Sequence, residues 1–251
     1  MKRAILSDIH ANVLAFEAVL RDVEHVKVQE VVCLGDVVGY GARPKQCIDY
    51  VRKYFAWSLR GNHEKGLLSA SEAERFSARA RDALDWTRRL LDAPDDAENV
   101  ARMDFLRAMA EKHVEDDLLF CHGSPRLPVD EYCYPNLGER HPERMKLIFE
   151  MLAHVVFVGH THLPGVLAED GSFETPADLG NEYEIGPGKA IINVGSVGQP
   201  RDRNPRASYV ILDGNTVVFR RVQYDIEIAA NQIYAVAELD DGLGDRLFEG
   251  R

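Results

Sequence analysis

The chain has 251 residues, 45% hydrophobic and 28% charged, close to a soluble globular average, so collagen, coiled-coil and disordered classes are excluded as its main description. With 30 Lys and Arg against 41 Asp and Glu, the formal net charge is −11, which repels a nucleic-acid backbone and argues against a general duplex binder. Apolar runs end after about half a dozen residues, far short of the roughly 20 that span a bilayer, so no membrane segment is read.

A small phosphorylated partner stays compatible with the acidic charge if bound cations reverse the sign locally. Only Ala4-Ile5-Leu6 separates the basic Met1-Lys2-Arg3 from Ser7-Asp8. No export-signal core is read there, and a cytoplasmic location is the expectation. The four cysteines, Cys33, Cys47, Cys121 and Cys133, lack Cys-x-x-Cys spacing and are read as reduced, structural thiols. No stretch specifies an oligomeric state.

The first element is a strand over Arg3 to Ser7, followed by a helix over Asn12 to Arg21 that Asn12 is placed to cap. Further strands are predicted at Glu30 to Leu34, Trp57 to Arg60, Asp117 to Cys121 and Val155 to Val158. Helices are predicted at Pro44 to Tyr54, Glu72 to Leu91, Glu98 to Ala110 and Pro142 to Leu152. This is an α/β rhythm. The last third reads as hairpins of a second sheet, with strands at Gly165 to Glu169, Ser172 to Glu174, Ala190 to Val194, Ala207 to Asp213 and Thr216 to Gln223. An amphipathic helix from Ile226 to Leu239 closes the chain. No repeat or linker marks a boundary, so 1–251 reads as one domain. A helical segment at about 72–110 either covers a sheet or caps the site.

Polar residues follow each buried-looking run: Asp8 and His10 after the first, Gly35-Asp36 after the second, Gly61-Asn62-His63-Glu64 after the third. His122 and then Gly159-His160-Thr161-His162 follow the remaining two. In an α/β sheet, loops beyond the carboxyl ends of the strands converge on one crevice. Singly, each such His is an ordinary loop residue and each Asp an ordinary helix cap. Together they supply carboxylate and amide oxygens and imidazoles, the donor set of a first-row divalent pair.

In order, these blocks resemble the five of the calcineurin-like metallophosphoesterases. Asn193-Val194-Gly195-Ser196-Val197-Gly198 and Gln199-Pro200-Arg201-Asp202 are similar to the bacterial phosphodiesterase and phosphatase branch. The resemblance implies a four-layer α/β/β/α sandwich of two mixed sheets flanked by helices. It implies that Asp8, His10, Asp36 and His162 hold one metal while Asp36, Asn62, His122 and His160 hold a second. The cofactor is then two divalent transition-metal ions per chain, manganese foremost, with Fe, Zn, Co or Ni also accepted by such ligands. The implied reaction is in-line attack of a metal-bridging hydroxide on a small phosphodiester, nucleotides included, with Asp36, Asn62 and His63 catalytic. His63 would stabilise developing charge or protonate the leaving oxygen, and Asn62, His63 and Arg126 would contact substrate. Arg126 has a second reading, as the partner of a loop carboxylate. Glu64 is expected to orient an imidazole. Gly39-Tyr40-Gly41 reads as a structural turn, with lining of the crevice as its second reading, and the loop Asp130 to Tyr134 as a candidate cover of the crevice. Alternatives are a phosphomonoesterase, a dinucleoside polyphosphate hydrolase or, in a different class, a non-catalytic metal-binding scaffold.

Overall fold

The computed structural model describes residues 1–251. Its first half runs β1 (Lys2–Leu6), α1 (Val13–His25), β2 (Glu30–Cys33), α2 (Pro44–Tyr54), β3 (Trp57–Ser58), α3 (Asn62–Leu68), α4 (Ala70–Ala73), α5 (Ala78–Leu91) and α6 (Ala97–Ala108). Next come β4 (Lys112–Glu115), β5 (Leu118–Cys121), α7 (Leu137–Arg140), α8 (Pro142–Glu150) and β6 (Val155–Val158). The last part holds β7 (Gly165–Ala168), β8 (Phe173–Glu174), β9 (Glu182–Glu184), β10 (Ala190–Asn193), β11 (Ala207–Asp213), β12 (Thr216–Val222), α9 (Ile226–Tyr234) and α10 (Gly242–Glu249).

Two six-stranded sheets form, in the orders β3-β2-β1-β11-β12-β9 and β4-β5-β6-β10-β7-β8. Both are mixed. In the first, β1 is parallel to β2 and antiparallel to β11, and in the second β6 is parallel to β5 and β10. Each strand's period of two sorts its side chains between layers. Ile5, Val32, Phe157, Ile192 and Val210 fill the space between the sheets. Their neighbours Ala4, Leu6, Cys33 and Ile211 face α1 and α2, meeting Phe16, Val19 and Ile48. On the far side, Val156, Val158 and Ile191 pack on Ile148 and Phe149 of α8. Burial on both faces is why these strands read as unbroken apolar runs. The result is the expected α/β/β/α sandwich. No helix is long and apolar enough to cross a membrane.

The last third does not make a sheet of its own. β11, β12 and β9 extend the first sheet, whereas β7, β8 and β10 complete the second. Antiparallel pairing of β11 along β1, with Ile5 opposite Val210, satisfies the backbone N–H and C=O groups of a strand that would otherwise be an edge. The helix predicted over Glu72 to Leu91 is broken, because Ser77 restarts it by accepting the Ala80 N–H at 3.4 Å. Both α4 and α5 therefore stand in its place. α1 runs past Arg21 to His25 because Val23 continues its buried stripe, and α9 stops at Tyr234 rather than Leu239. β4 and β9 escape the sequence pattern since their residues are mostly polar edge positions. All four cysteines are free and buried.

Candidate metal centre

The carboxyl ends of β1, β2, β5 and β6 converge, and the loops after them carry Asp8 and His10, Asp36, His122, and His160 with His162. Asn62 and His63 do not sit in a loop as expected but open α3, whose first turn follows β3. The structure brings all these residues together and buries all but Asn62, which is half-buried. Asp8, His10 and His162 place ligand atoms within 4.8 Å of one another, as do Asp36, His122 and His160.

Each carboxylate gives one oxygen to a backbone amide and keeps the other for the cluster. Asp8 Oδ2 accepts the His160 N–H at 3.0 Å, and buried Oδ1 has no hydrogen-bond donor. Asp36 Oδ1 accepts the His63 N–H at 2.8 Å. Its Oδ2 lies 3.3 Å from His122 Nε2, 3.8 Å from His10 Nε2 and 3.9 Å from His63 Nε2. One oxygen thus lies between the two groups. Asn62 Oδ1 joins the second, 3.1 Å from His122 Nε2.

Backbone carbonyls orient the rings. His10 Nδ1 faces Val38 O at 3.1 Å, His162 Nδ1 faces Gln199 O, and His160 Nε2 faces Asp130 O at 3.3 Å. A ring nitrogen opposite a carbonyl must donate, so the other nitrogen presents its lone pair to the cluster. His10 Nε2 and His162 Nε2 then oppose each other 3.1 Å apart. Two facing lone pairs repel unless a cation lies between them. Together with the donorless Asp8 oxygen, they make the residues fit divalent metal ions.

Charge states agree with that fit. Burial drives the His10 and His162 imidazoles down and takes His160 to about 3, keeping these rings neutral. Burial alone would raise both aspartates, but the histidines outweigh it and hold Asp8 and Asp36 below the usual carboxylate range. At His122 the order is reversed. Burial opposes its charge, yet Asp36 and Asp8 push it up to about 9.

The backbone here is unusual. Asp8, His10, Asp36, His160 and His162 all have φ between 48° and 65°, a left-handed conformation costly for residues with a Cβ. Such strain persists only where surroundings over-determine it. Ser196 Oγ and Gly198 N both donate to Asp8 O at 2.9 Å, and Asn193 Nδ2 donates to Gly159 O at 2.7 Å. The Asn193 to Gly198 block therefore braces two ligand loops at once. Glu64 departs from expectation, since its carboxylate reaches no imidazole. It accepts the N–H groups of Asp36, Val37 and Gly61 at 2.8 Å and that of Val38 at 3.1 Å, fixing the Asp36 loop on α3.

His63 lies between the rings of Tyr40 at 4.6 Å, His10 at 4.7 Å and Phe76 at 5.0 Å. Burial lowers its pKa to about 4. Tyr40 is thus part of the site wall, the second reading of its segment. A cavity of about 320 Å³ opens beside Asn62 and His160, bounded by Tyr40, Lys65, Phe76 and Tyr132. Tyr132 stacks on His160, centroids 3.6 Å apart. Arg126 is not on that wall, and its Nε is 3.4 Å from Glu131 Oε2. Sequence reasoning singled out neither Lys65 nor Phe76 as a wall residue. No motif distinguishes either from an ordinary helix residue.

A buried cluster of aspartates and histidines at the strand ends of an α/β/β/α sandwich defines a metal-dependent class of hydrolase. Residues 1–216 match the calcineurin-like phosphoesterase superfamily domain, and the chain belongs to that superfamily, as a phosphoric ester hydrolase. It is 35% identical to an uncharacterised protein, MJ0912, of Methanocaldococcus jannaschii, over 252 residues that cover 99% of this chain and 98% of the other. The crystal structure of a metallophosphoesterase from Sphaerobacter thermophilus is similar over all of both chains, with 35% identity and a TM-score of 0.84. The hypothetical protein PH1004 from Pyrococcus horikoshii shares the fold at 18% identity and a TM-score of 0.76, over 100% of this chain and 98% of that one.

Proposed function

We propose that the chain is a dinuclear-metal-dependent phosphoesterase that hydrolyses small phosphodiesters, nucleotides among them. Asp8, His10, Asp36 and His162 hold one ion, and Asp36, Asn62, His122 and His160 the other. The observation that carries this reading is Asp36 Oδ2, one carboxylate oxygen placed between two groups of facing donors. A divalent pair bound there supplies the nucleophile and neutralises phosphate charge.

The chain's own residues do the rest. His63 Nδ1 is buried without an acceptor, so the proton of the neutral ring belongs on Nε2, which faces the cluster beside Asp36. From there it donates to a phosphoryl or leaving oxygen. Asn62 offers its amide to the same substrate. Of residues 72–110, only Glu72 to Ala80 bound the cavity, and these form the cap. Arg126 reaches substrate only by leaving Glu131.

Elemental analysis and turnover of two variants test the assignment. Asp36→Asn is expected to lose metal and to lower turnover by orders of magnitude, whereas His63→Ala keeps the metal and loses the chemistry. The opposite pattern, metal lost from His63→Ala and kept by Asp36→Asn, contradicts these roles.

A further inference from the structure

Beside the cluster lies a cleft of about 650 Å³ lined by no hydrophobic residue, walled by Arg79, Arg201, Arg246 and Arg251 together with Gly242 and Asp245. On a chain with a formal charge of −11, four guanidiniums around one cleft are unexpected. Two are neutralised, Arg79 by Asp240 at 3.0 Å and Arg251 by its neighbour Glu249. The other two are not. Arg201 bonds only to neutral oxygens, Gln199 Oε1 at 3.0 Å and the Tyr40 hydroxyl at 3.5 Å, and Arg246 has no ion-pair partner. The one carboxylate of the lining, Asp245, accepts the Tyr234 hydroxyl at 2.8 Å. Burial lowers the pKa of Arg246, and the like charges of Arg201 and Arg79 act in the same direction. Positive charge is therefore held here against its own repulsion.

This cleft adjoins the metal centre through one residue. Arg201 N donates to His162 O at 3.3 Å, and its guanidinium lies 6.0 Å from the centre of the Tyr40 ring. Tyr40 also packs on the rings of His10 and His63, each 4.6 Å away. Arg201 therefore lines the cleft while its backbone holds the loop of His162. Guanidinium forks match phosphate oxygens, and a phosphate dianion cancels two uncompensated charges.

We propose that the cleft between Arg201 and Arg246 binds a second phosphate of the substrate, so that the preferred substrates carry two phosphate groups, one at the metal centre and one here. This rests on the phosphoesterase reading above and names a substrate class for it.

Calorimetric titration of the Mn²⁺-loaded protein tests the proposal with two probe pairs. One is adenosine bisphosphate, phosphorylated on two ribose hydroxyls, against adenosine monophosphate. The other is fructose bisphosphate against fructose monophosphate. The expected result is about tenfold or tighter binding of the bisphosphate in at least one pair, with charge-assisted hydrogen bonds of ordinary strength. Arg246→Gln brings that ratio close to one, Arg246→Lys restores part of it, and Arg107→Gln, an exposed charge loss on α6, leaves it unchanged. A ratio near one in both pairs for the unmutated protein overturns the proposal, as does a ratio that survives both Arg246→Gln and Arg201→Gln. Turnover of a chromogenic diester, measured alongside, separates the two readings. A ratio of one with turnover intact removes the cleft alone, and a tenfold ratio without turnover supports the phosphate site while removing the catalytic reading.

Discussion

Gly39→Ala probes His63 without touching a ligand side chain. Gly39 has φ +91°, and a Cβ there falls 2.0 Å from His63 Nδ1 and 2.8 Å from its Cε1. An unstrained contact needs about 3.5 Å, so ring or loop must yield by more than about 1 Å. The ring has little room, with Tyr40 and Phe76 against it at 4.6 and 5.0 Å. Left-handed backbone costs an L-residue about 1–2 kcal/mol and overpacking about 1–3 kcal/mol, so the variant should lose about 2–5 kcal/mol of stability. For a chain of this length that lowers Tm by roughly 5–15 °C. A misplacement of about 1 Å lowers kcat/KM about a hundredfold, while the metal content stays unchanged. Thermal melts, elemental analysis and hydrolysis of a chromogenic aryl phosphodiester at a temperature where the variant is folded read these three quantities. If the variant keeps its metal and stays within about twofold of the original kcat/KM, His63 does not need its observed position and its proposed role is wrong.

Glu64→Gln sets an NH₂ group against two of the four N–H donors that the carboxylate now accepts, which should cost about 2–4 kcal/mol. Because those donors belong to the Asp36 loop, metal retention should fall as well, and a variant with unaltered Tm and metal content would remove the bracing role. Arg126→Ala tests substrate contact through kcat/KM: a clear drop supports it, and no change leaves Arg126 as the partner of Glu131 only. Burial alone would raise Asp22, but hydrogen bonds from Arg220 and Tyr209 outweigh it and hold it below its ordinary value of 3.8. Its contribution is therefore full above pH 3.8 and lost as the pH falls through the lowered value. Urea unfolding should show Arg220→Gln destabilised by about 0.5–1 kcal/mol at neutral pH, with the gap closing only below that point. A gap that widens on acidification contradicts the sign.

The ligand set was legible because its chemistry demands particular residue types at strand ends, where the apolar runs of β1, β2, β5 and β6 point to them directly. The sandwich could be expected from the family resemblance, but which strand joins which sheet could not. β11 and β10 have equally apolar patterns, and only their long-range pairing with β1 and β6 assigns them to different sheets. The role of Glu64 was hidden for a related reason. Its partners are backbone N–H groups, which carry no residue signature. Wall residues such as Phe76 and Tyr40 show the same limit, since an aromatic side chain reads alike whether it packs a core or faces a ligand. Strain at the ligand residues was invisible too, because aspartate and histidine enter left-handed backbone only where other parts of the fold hold them there.

The central claim, that this buried cluster hydrolyses phosphoesters with bound metal, is tested most directly by assaying chelator-stripped protein on a chromogenic phosphodiester with and without added Mn²⁺. The account predicts no turnover by the stripped protein and recovery when the metal is returned. Turnover that persists after stripping, or its absence with every divalent metal tried on this and the matching monoester, would contradict it.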